Sequence, residues 1–210
     1  MSSVLILILE IYFVYHTKYS MRFLPVQPKP EITIDYSRAV VEIQNAISVT
    51  VANELIAHIL QPSSGVHRRG SKTPERCVAS FSTCLLFNTE HSIYDLLDPL
   101  WKDYIISSQA NVSFIEPYEL KAYAEGDGFG YHTDSYSSIY HALDRKLNVI
   151  LQLSADEAYE GGDLFVGDHS CSRQQCTAIF FPSHYVHNVT TISRGVRYSL
   201  IGHAWGPYVR

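Results

Sequence analysis

The sequence predicts a mainly β chain with helices near its N-terminus, an α+β class, and three observations carry that prediction. Segments 118–123, 147–154, 177–181 and 196–204 read as strands separated by turn signals. Ahead of them, two apolar stripes recur at spacings of three and four, the period of a helix. A chain of 210 residues that is 46% hydrophobic and 12% aromatic also has enough apolar surface for a sizeable core without disulfides.

In chain order, Val4 to Tyr15 is almost wholly apolar but contains Glu10 and is shorter than the ~20 residues that cross a bilayer. It lacks the basic start and small-residue cleavage site of a secretory signal. Three readings stay open: a weak anchor with Lys18 and Arg22 on the cytoplasmic side, a packed element, or an extension upstream of a start at Met21. Residues 23–31, with Pro25, Pro28 and Pro30, read as a stiff linker. The first helical stripe is Val51, Leu55, Ile56, Ile59 and Leu60, begun near Thr50 and stopped by Pro62. The basic run from His67 to Lys72 reads as a solvated loop, with a substrate-entry loop for an acidic partner as the sharper alternative. The second stripe, from Ile93 through Leu96, Leu97 and Trp101 to Ile105, has Pro99 as a kink or restart. Both helices read as support packed on a sheet, with Trp101 in the core.

The strands follow. Glu125 to Gly128 is a turn, and Tyr131-His132-Thr133-Asp134 comes directly after it. Between 147 and 154, Leu147, Val149, Leu151 and Leu153 fall on one strand face, and Asn148, Ile150, Gln152 and Ser154 on the other. That second face looks either into a binding site or out to water. Gly161-Gly162 marks a turn with unusual backbone angles. The apolar strand at 177–181 ends at Pro182, and His187 lies five residues beyond. Arg194-Gly195 makes a turn into the last strand, Val196 to Ala204, which carries Arg197 and Ser199 on one face.

His132, Asp134 and His187 are the candidate metal ligands. Two imidazoles and a carboxylate hold non-haem Fe(II) on one side and leave positions open for substrate and O2. Side chains two apart at a strand end emerge on the same face, so one segment supplies two ligands and a distant one the third. The bland alternative is a loop histidine beside a surface acid.

At this point the chain resembles the Fe(II)- and 2-oxoglutarate-dependent oxygenases, in their prolyl-4-hydroxylase-like branch. The matching stretches are Leu120-Lys121-Ala122-Tyr123 with Gly126-Asp127, His132-x-Asp134, Arg145 to Ser154, and Tyr159 to Leu164. They continue through Phe181-Pro182-Ser183 with His187-x-Val189, Gly195 to Leu200, and Trp205-Gly206-Pro207, covering about residues 112–210. The resemblance implies a double-stranded β-helix, two facing sheets in a jelly-roll arrangement with the site at their mouth. It implies catalytic Fe(II) on His132, Asp134 and His187, with Arg197 pairing the C5 carboxylate of 2-oxoglutarate and Ser199 adding a hydrogen bond. Tyr123 matches a position beside the cosubstrate, though an ordinary core tyrosine is an equal reading, and Gln152 is a further candidate contact. The family pattern selects His187 over His184 and leaves Arg194 as a solvated turn residue.

The resemblance further implies hydroxylation of an unactivated C–H bond with release of succinate and CO2, and ascorbate as reductant. A peptide, protein or small-molecule substrate is expected, with proline first by resemblance alone. The rival readings are an oxidative demethylase of alkylated bases and a non-catalytic β-barrel binding module. A net charge of −5 provides no general basic field, so a nucleic-acid partner is not expected. The segments expected are 1–31 as apolar start and linker, 32–111 as helical support, and 112–210 as the oxygenase core. Cys77, Cys84, Cys171 and Cys176 form no C-x-x-C pair; Cys171 and Cys176 could bridge a short loop, but a reducing compartment keeps them as thiols. A cytoplasmic location is expected, with the weak N-terminal anchor as the alternative.

Overall fold

The computed structural model describes residues 40–71, 79–86, 92–135 and 142–208. The apolar segment Val4 to Tyr15, the proline linker, Lys72 and Cys77 lie outside the described residues. Strand β1 is Val41–Ile43, and helix α1, Val49–Leu60, follows it. Ser48 caps that helix by accepting from Val51 N over 3.3 Å, so it starts slightly before Thr50. Ala52, Leu55 and Ile59 form its buried face.

The basic run is a strand and not a loop: β2, His67–Ser71, pairs antiparallel with β3, Ala79–Leu85. Its sequence has weak strand propensity, and pairing to β3 overrides it. Helix α2, Ser92–Ser108, runs unbroken through Pro99. Pro99 lies on the exposed side of the helix, so its ring disturbs no core packing. Leu96 stands off the buried stripe at 40% exposure, while Ile93, Leu97 and Trp101 are fully buried. Trp101 meets Phe180 edge-on and donates from Nε1 to the Tyr118 hydroxyl at 3.0 Å, a core role.

The remaining strands are β4 Phe114–Ile115, β5 Glu119–Tyr123, β6 Gly128–His132, β7 Leu143–Gln152, β8 Tyr159–Gly161 and β9 Leu164–Val166. Then come β10 His169–Ser170, β11 Ala178–Pro182, β12 His187–Val189, β13 Ile192–Gly195 and β14 Arg197–Pro207. They pair in the order β1-β11-β7-β14-β5-β3-β6-β12-β9-β10, with β2 on β3, β4 on β14, and a separate β8–β13 pair. Segment 40–111 therefore supplies strands to the same sheet as well as the two helices.

This path folds back on itself. Leu164 and Val166 of β9 share one apolar cluster with Ile179 and Phe181 of β11, although the two strands are remote along the path. The result is the jelly roll: one cluster fills the space between the facing layers, and a second packs the helices against the outer face of the larger layer. Strand β7 divides its residues as its alternation predicts. Leu147, Val149, Leu151 and Leu153 join the helix-side cluster, while Ile150 joins the interior one. Asn148, Gln152 and Ser154 are buried, so their face looks inward and not to water. Among the described residues, no helix is long and apolar enough to cross a membrane.

Candidate metal and cosubstrate site

His132 closes β6 and His187 opens β12, and the two are direct partners in the ladder between those strands. Their ring centroids lie 4.1 Å apart. Asp134, two residues past the end of β6, is held by its own N–H donating to Ser183 O at 2.9 Å. That anchor brings its carboxylate between the rings: Oδ1 is 3.8 Å from His132 Nε2 and Oδ2 is 3.3 Å from His187 Nε2. One donor atom from each of these residues falls within 4.8 Å of the others.

Both rings are oriented by the opposite nitrogen. His132 Nδ1 lies 2.8 Å from Gly130 O, and His187 Nδ1 lies 3.0 Å from Tyr185 O. A carbonyl only accepts, so each Nδ1 carries a proton and each ring turns its Nε2, the atom that would coordinate a metal, toward the carboxylate. Burial, with His187 adding, pushes His132 down to about 4, so it is neutral at physiological pH. Burial raises the Asp134 carboxyl, but His203, His187 and His132 outweigh it and hold the group well below the usual carboxylate range. Phe129 stacks on His132 at 3.6 Å and Phe181 meets His187 edge-on, so apolar rings wall the pair.

Behind the carboxylate stands a polar network. Asn148 Nδ2 donates to Asp134 Oδ2 at 2.8 Å, while its own Oδ1 accepts from Ser183 Oγ at 2.7 Å and lies 2.9 Å from His203 Nδ1. Asn148 was visible in the sequence only as part of a polar strand face. Ser183 stands in the sequence only as the end of the Phe181-Pro182-Ser183 motif, and the signal for His203 is a polar residue at an inward position of its strand.

At the other end of the same β7 face, Gln152 Oε1 accepts from Arg197 Nη2 at 2.9 Å. Arg197 is 1% exposed, and its Nε and Nη1 have no partner among the described residues; nor does the buried Ser199 Oγ two positions along. A guanidinium buried with two of its three nitrogens unmatched is costly unless an anion completes it. Tyr123, opposite Arg197 in the ladder, places its ring 5.5 Å from the guanidinium carbon. Lys121, opposite Ser199, points into the same interior; burial would lower its pKa, but Tyr123 and Glu119 outweigh that and raise it. In the sequence Lys121 stands only as a member of the Leu120-Lys121-Ala122-Tyr123 motif.

Gly161 and Gly162 have φ of +70° and +66°, as their pairing in the sequence predicts. Gly162 lets Arg197 pass close: a Cβ there would stand 3.2 Å from Arg197 Cδ. The turn expected at Arg194-Gly195 is instead strand β13, paired to β8, with Arg194 bonded to Glu160 on the exposed surface. His184 is exposed and stacks edge-on against Tyr185. Cys171 and Cys176 are buried free thiols, as is Cys84.

The residues fit the groups they would hold: a borderline-hard divalent ion on two imidazoles and a carboxylate, and a carboxylate-bearing ligand on a buried, partly matched arginine beside a serine hydroxyl. Comparison with known proteins agrees. Residues 118–205 match the family model described as the 2OG-Fe(II) oxygenase superfamily. A PKHD-type hydroxylase of Idiomarina loihiensis is 25% identical over 170 residues, covering 78% of this chain and 76% of that protein. Another, from Pseudomonas putida, is 30% identical over 112 residues, half of each chain. Among solved structures, a viral collagen prolyl hydroxylase of Paramecium bursaria Chlorella virus-1, in complex with 2OG, superposes with a TM-score of 0.65 at 14% identity. That match covers 80% of this chain and 97% of the other, and establishes the shared fold.

Proposed function

We propose, for a chain whose residues 118–205 match the 2OG-Fe(II) oxygenase superfamily model, that His132, Asp134 and His187 hold Fe(II) and Arg197 with Ser199 hold 2-oxoglutarate, for hydroxylation of a peptidyl substrate. The observation that carries this reading is on β7. One strand face touches the carboxylate of the triad through Asn148 and the partly matched guanidinium through Gln152, so ion and cosubstrate sites share one wall. When bound, the iron and cosubstrate supply oxidation by O2, converting 2-oxoglutarate to succinate and CO2 as one oxygen atom enters a substrate C–H bond.

The chain's own contribution is orientation and exclusion of water. The Gly130 and Tyr185 carbonyls fix the imidazole tautomers, and Asn148 fixes the carboxylate. Gln152 aims the guanidinium, whose planar fork meets a carboxylate with two charge-assisted bonds. Phe129 and Phe181 keep the imidazole pair dry on its inner side. Tyr131 and Val186, each adjacent in sequence to one imidazole, are 72% and 49% exposed, and offer an apolar rim to an arriving chain. The PKHD-type relatives and the collagen prolyl hydroxylase make a prolyl residue in a peptide the first substrate to test. Ascorbate is expected to sustain turnover by keeping the iron reduced.

The test is succinate formation from 2-oxoglutarate with Fe(II) and a proline-containing peptide library, with products searched by mass spectrometry for one added oxygen atom. Turnover that requires both Fe(II) and 2-oxoglutarate, and vanishes in Asp134→Ala, supports the reading. An unchanged rate in Asp134→Ala removes that carboxylate from the site.

A further inference from the structure

The two ends of the sheet path, β1 and β10, meet around a second set of metal-binding side chains that the oxygenase reading does not use. Glu42 of β1 places Oε1 2.8 Å from Nε2 of His169, the first residue of β10. The same oxygen accepts from Ser172 N at 3.1 Å, which fixes the carboxylate. Cys171, two residues past His169, projects to the same place, and the donor atoms of Glu42, His169 and Cys171 all lie within 4.8 Å of one another. The cysteine is 5% exposed, and its Sγ lies 4.0 Å from His169 O.

We propose that Glu42, His169 and Cys171 form a binding site for a thiophilic divalent cation of the Zn2+ class, distinct from the iron site. The donor set is one thiolate, one imidazole and one carboxylate, which a tetrahedral ion completes with a water molecule. The layout repeats that of the oxygenase triad: two ligands two residues apart at a strand end, the third from a remote strand. A simple ion pair explains Glu42 and His169 but not the thiol gathered within 4.8 Å of both. On binding, the Cys171 thiol forms an S–metal bond and releases its proton to solvent, and His169 coordinates through neutral Nε2. The ion joins the first strand of the path to the last, so it clips the rolled sheet where, among the described residues, no ladder hydrogen bonds do.

Titration of the full metal-free chain with Co2+ as probe tests this, because thiolate coordination gives cobalt a charge-transfer absorption that the sulfur-free iron site cannot produce. The expected result is two equivalents bound, with the thiolate band present in wild type and in Asp134→Ala. Cys171→Ser should bind one equivalent without that band, and Glu42→Gln, which preserves shape, should weaken the band-forming event at least ten-fold. Zn2+ added to Asp134→Ala at about 100 times its dissociation constant should raise the melting temperature on the order of 5–10 °C. Absence of the thiolate band in wild type, or an unchanged stoichiometry in Cys171→Ser, overturns the site while leaving the oxygenase reading untouched. Loss of 2-oxoglutarate turnover with the band retained would do the reverse.

Discussion

Asn148 donates its amide hydrogen to Asp134 Oδ2 across 2.8 Å, and its own carbonyl oxygen is held by Ser183 and His203. The carboxylate is therefore aimed from behind. Replacing Asn148 with Leu removes that restraint and should weaken Fe(II) binding about 10–100-fold, the usual cost of losing such a support. Metal titration followed by quenching of intrinsic fluorescence measures it, and Asn148→Gln should recover only part of the loss because the reach differs. Equal affinity in Asn148→Leu would show that Asp134 is oriented by other means.

Arg197 is buried with two nitrogens unmatched among the described residues, so it is poised for an anion. Arg197→Met should cost on the order of 3 kcal/mol of 2-oxoglutarate binding, about a hundred-fold in dissociation constant. Iron affinity should stay near wild type, since Arg197 makes no contact with the triad among the hydrogen bonds and ion pairs described. Calorimetric titration with 2-oxoglutarate separates the two effects. Arg197→Lys should restore little, because an ammonium lacks the planar fork.

Gly162→Ala should do two things at once. Its φ of +66° suits glycine, and the new Cβ would run into Ile192 Cδ1 and press on Arg197 Cδ. A stability loss of about 2 kcal/mol, or a melting temperature lower by roughly 4–8 °C, is expected from the left-handed backbone and the crowding. Weaker 2-oxoglutarate binding should accompany it, because the guanidinium is displaced. A variant that melts early but binds the cosubstrate normally would show that Arg197 tolerates the push.

Burial, with Glu119 adding, pushes the Cys84 thiol up from 9.0 to about 11. The folded state thus favours the protonated thiol more than the unfolded chain does. Its contribution to stability is complete below pH 9 and is lost as pH rises toward 11. Urea midpoints measured across that range should fall, and Cys84→Ala should flatten the slope. Native Cys84 should also resist iodoacetamide at pH 8 until the protein unfolds.

Trp101 is fully buried against Phe180 and bonded to the Tyr118 hydroxyl, under the sheet and away from the inner face. Trp101→Ala should cost about 3–5 kcal/mol in denaturant unfolding. The 2-oxoglutarate affinity of the molecules that remain folded should be unchanged.

Much of this was legible because it was local. His132 and Asp134 declare themselves through a spacing of two at a strand end, and the alternation along 147–154 foretold that Asn148 and Gln152 share a face. The paired glycines at 161 and 162 announced their own backbone angles. What escaped depends on partners remote in sequence. The His67–Ser71 strand has polar, weakly β-forming residues and exists because Ala79–Leu85 offers it a ladder. Arg194 sits in a strand because Glu160 and its neighbours lie opposite, so a local turn signal misled. His203 reads as one more residue of a buried strand until Asn148 is seen against it, and Glu42 gives no hint that His169 and Cys171 await it.

Because His132 and His187 face each other across adjacent strands, any ion they share rivets β6 to β12. Grip on the metal and integrity of that seam are then the same equilibrium viewed from two sides, each strengthened by the other in equal measure. Stripping the iron should be felt first as fraying at the mouth of the roll, well before the helix-backed wall gives way.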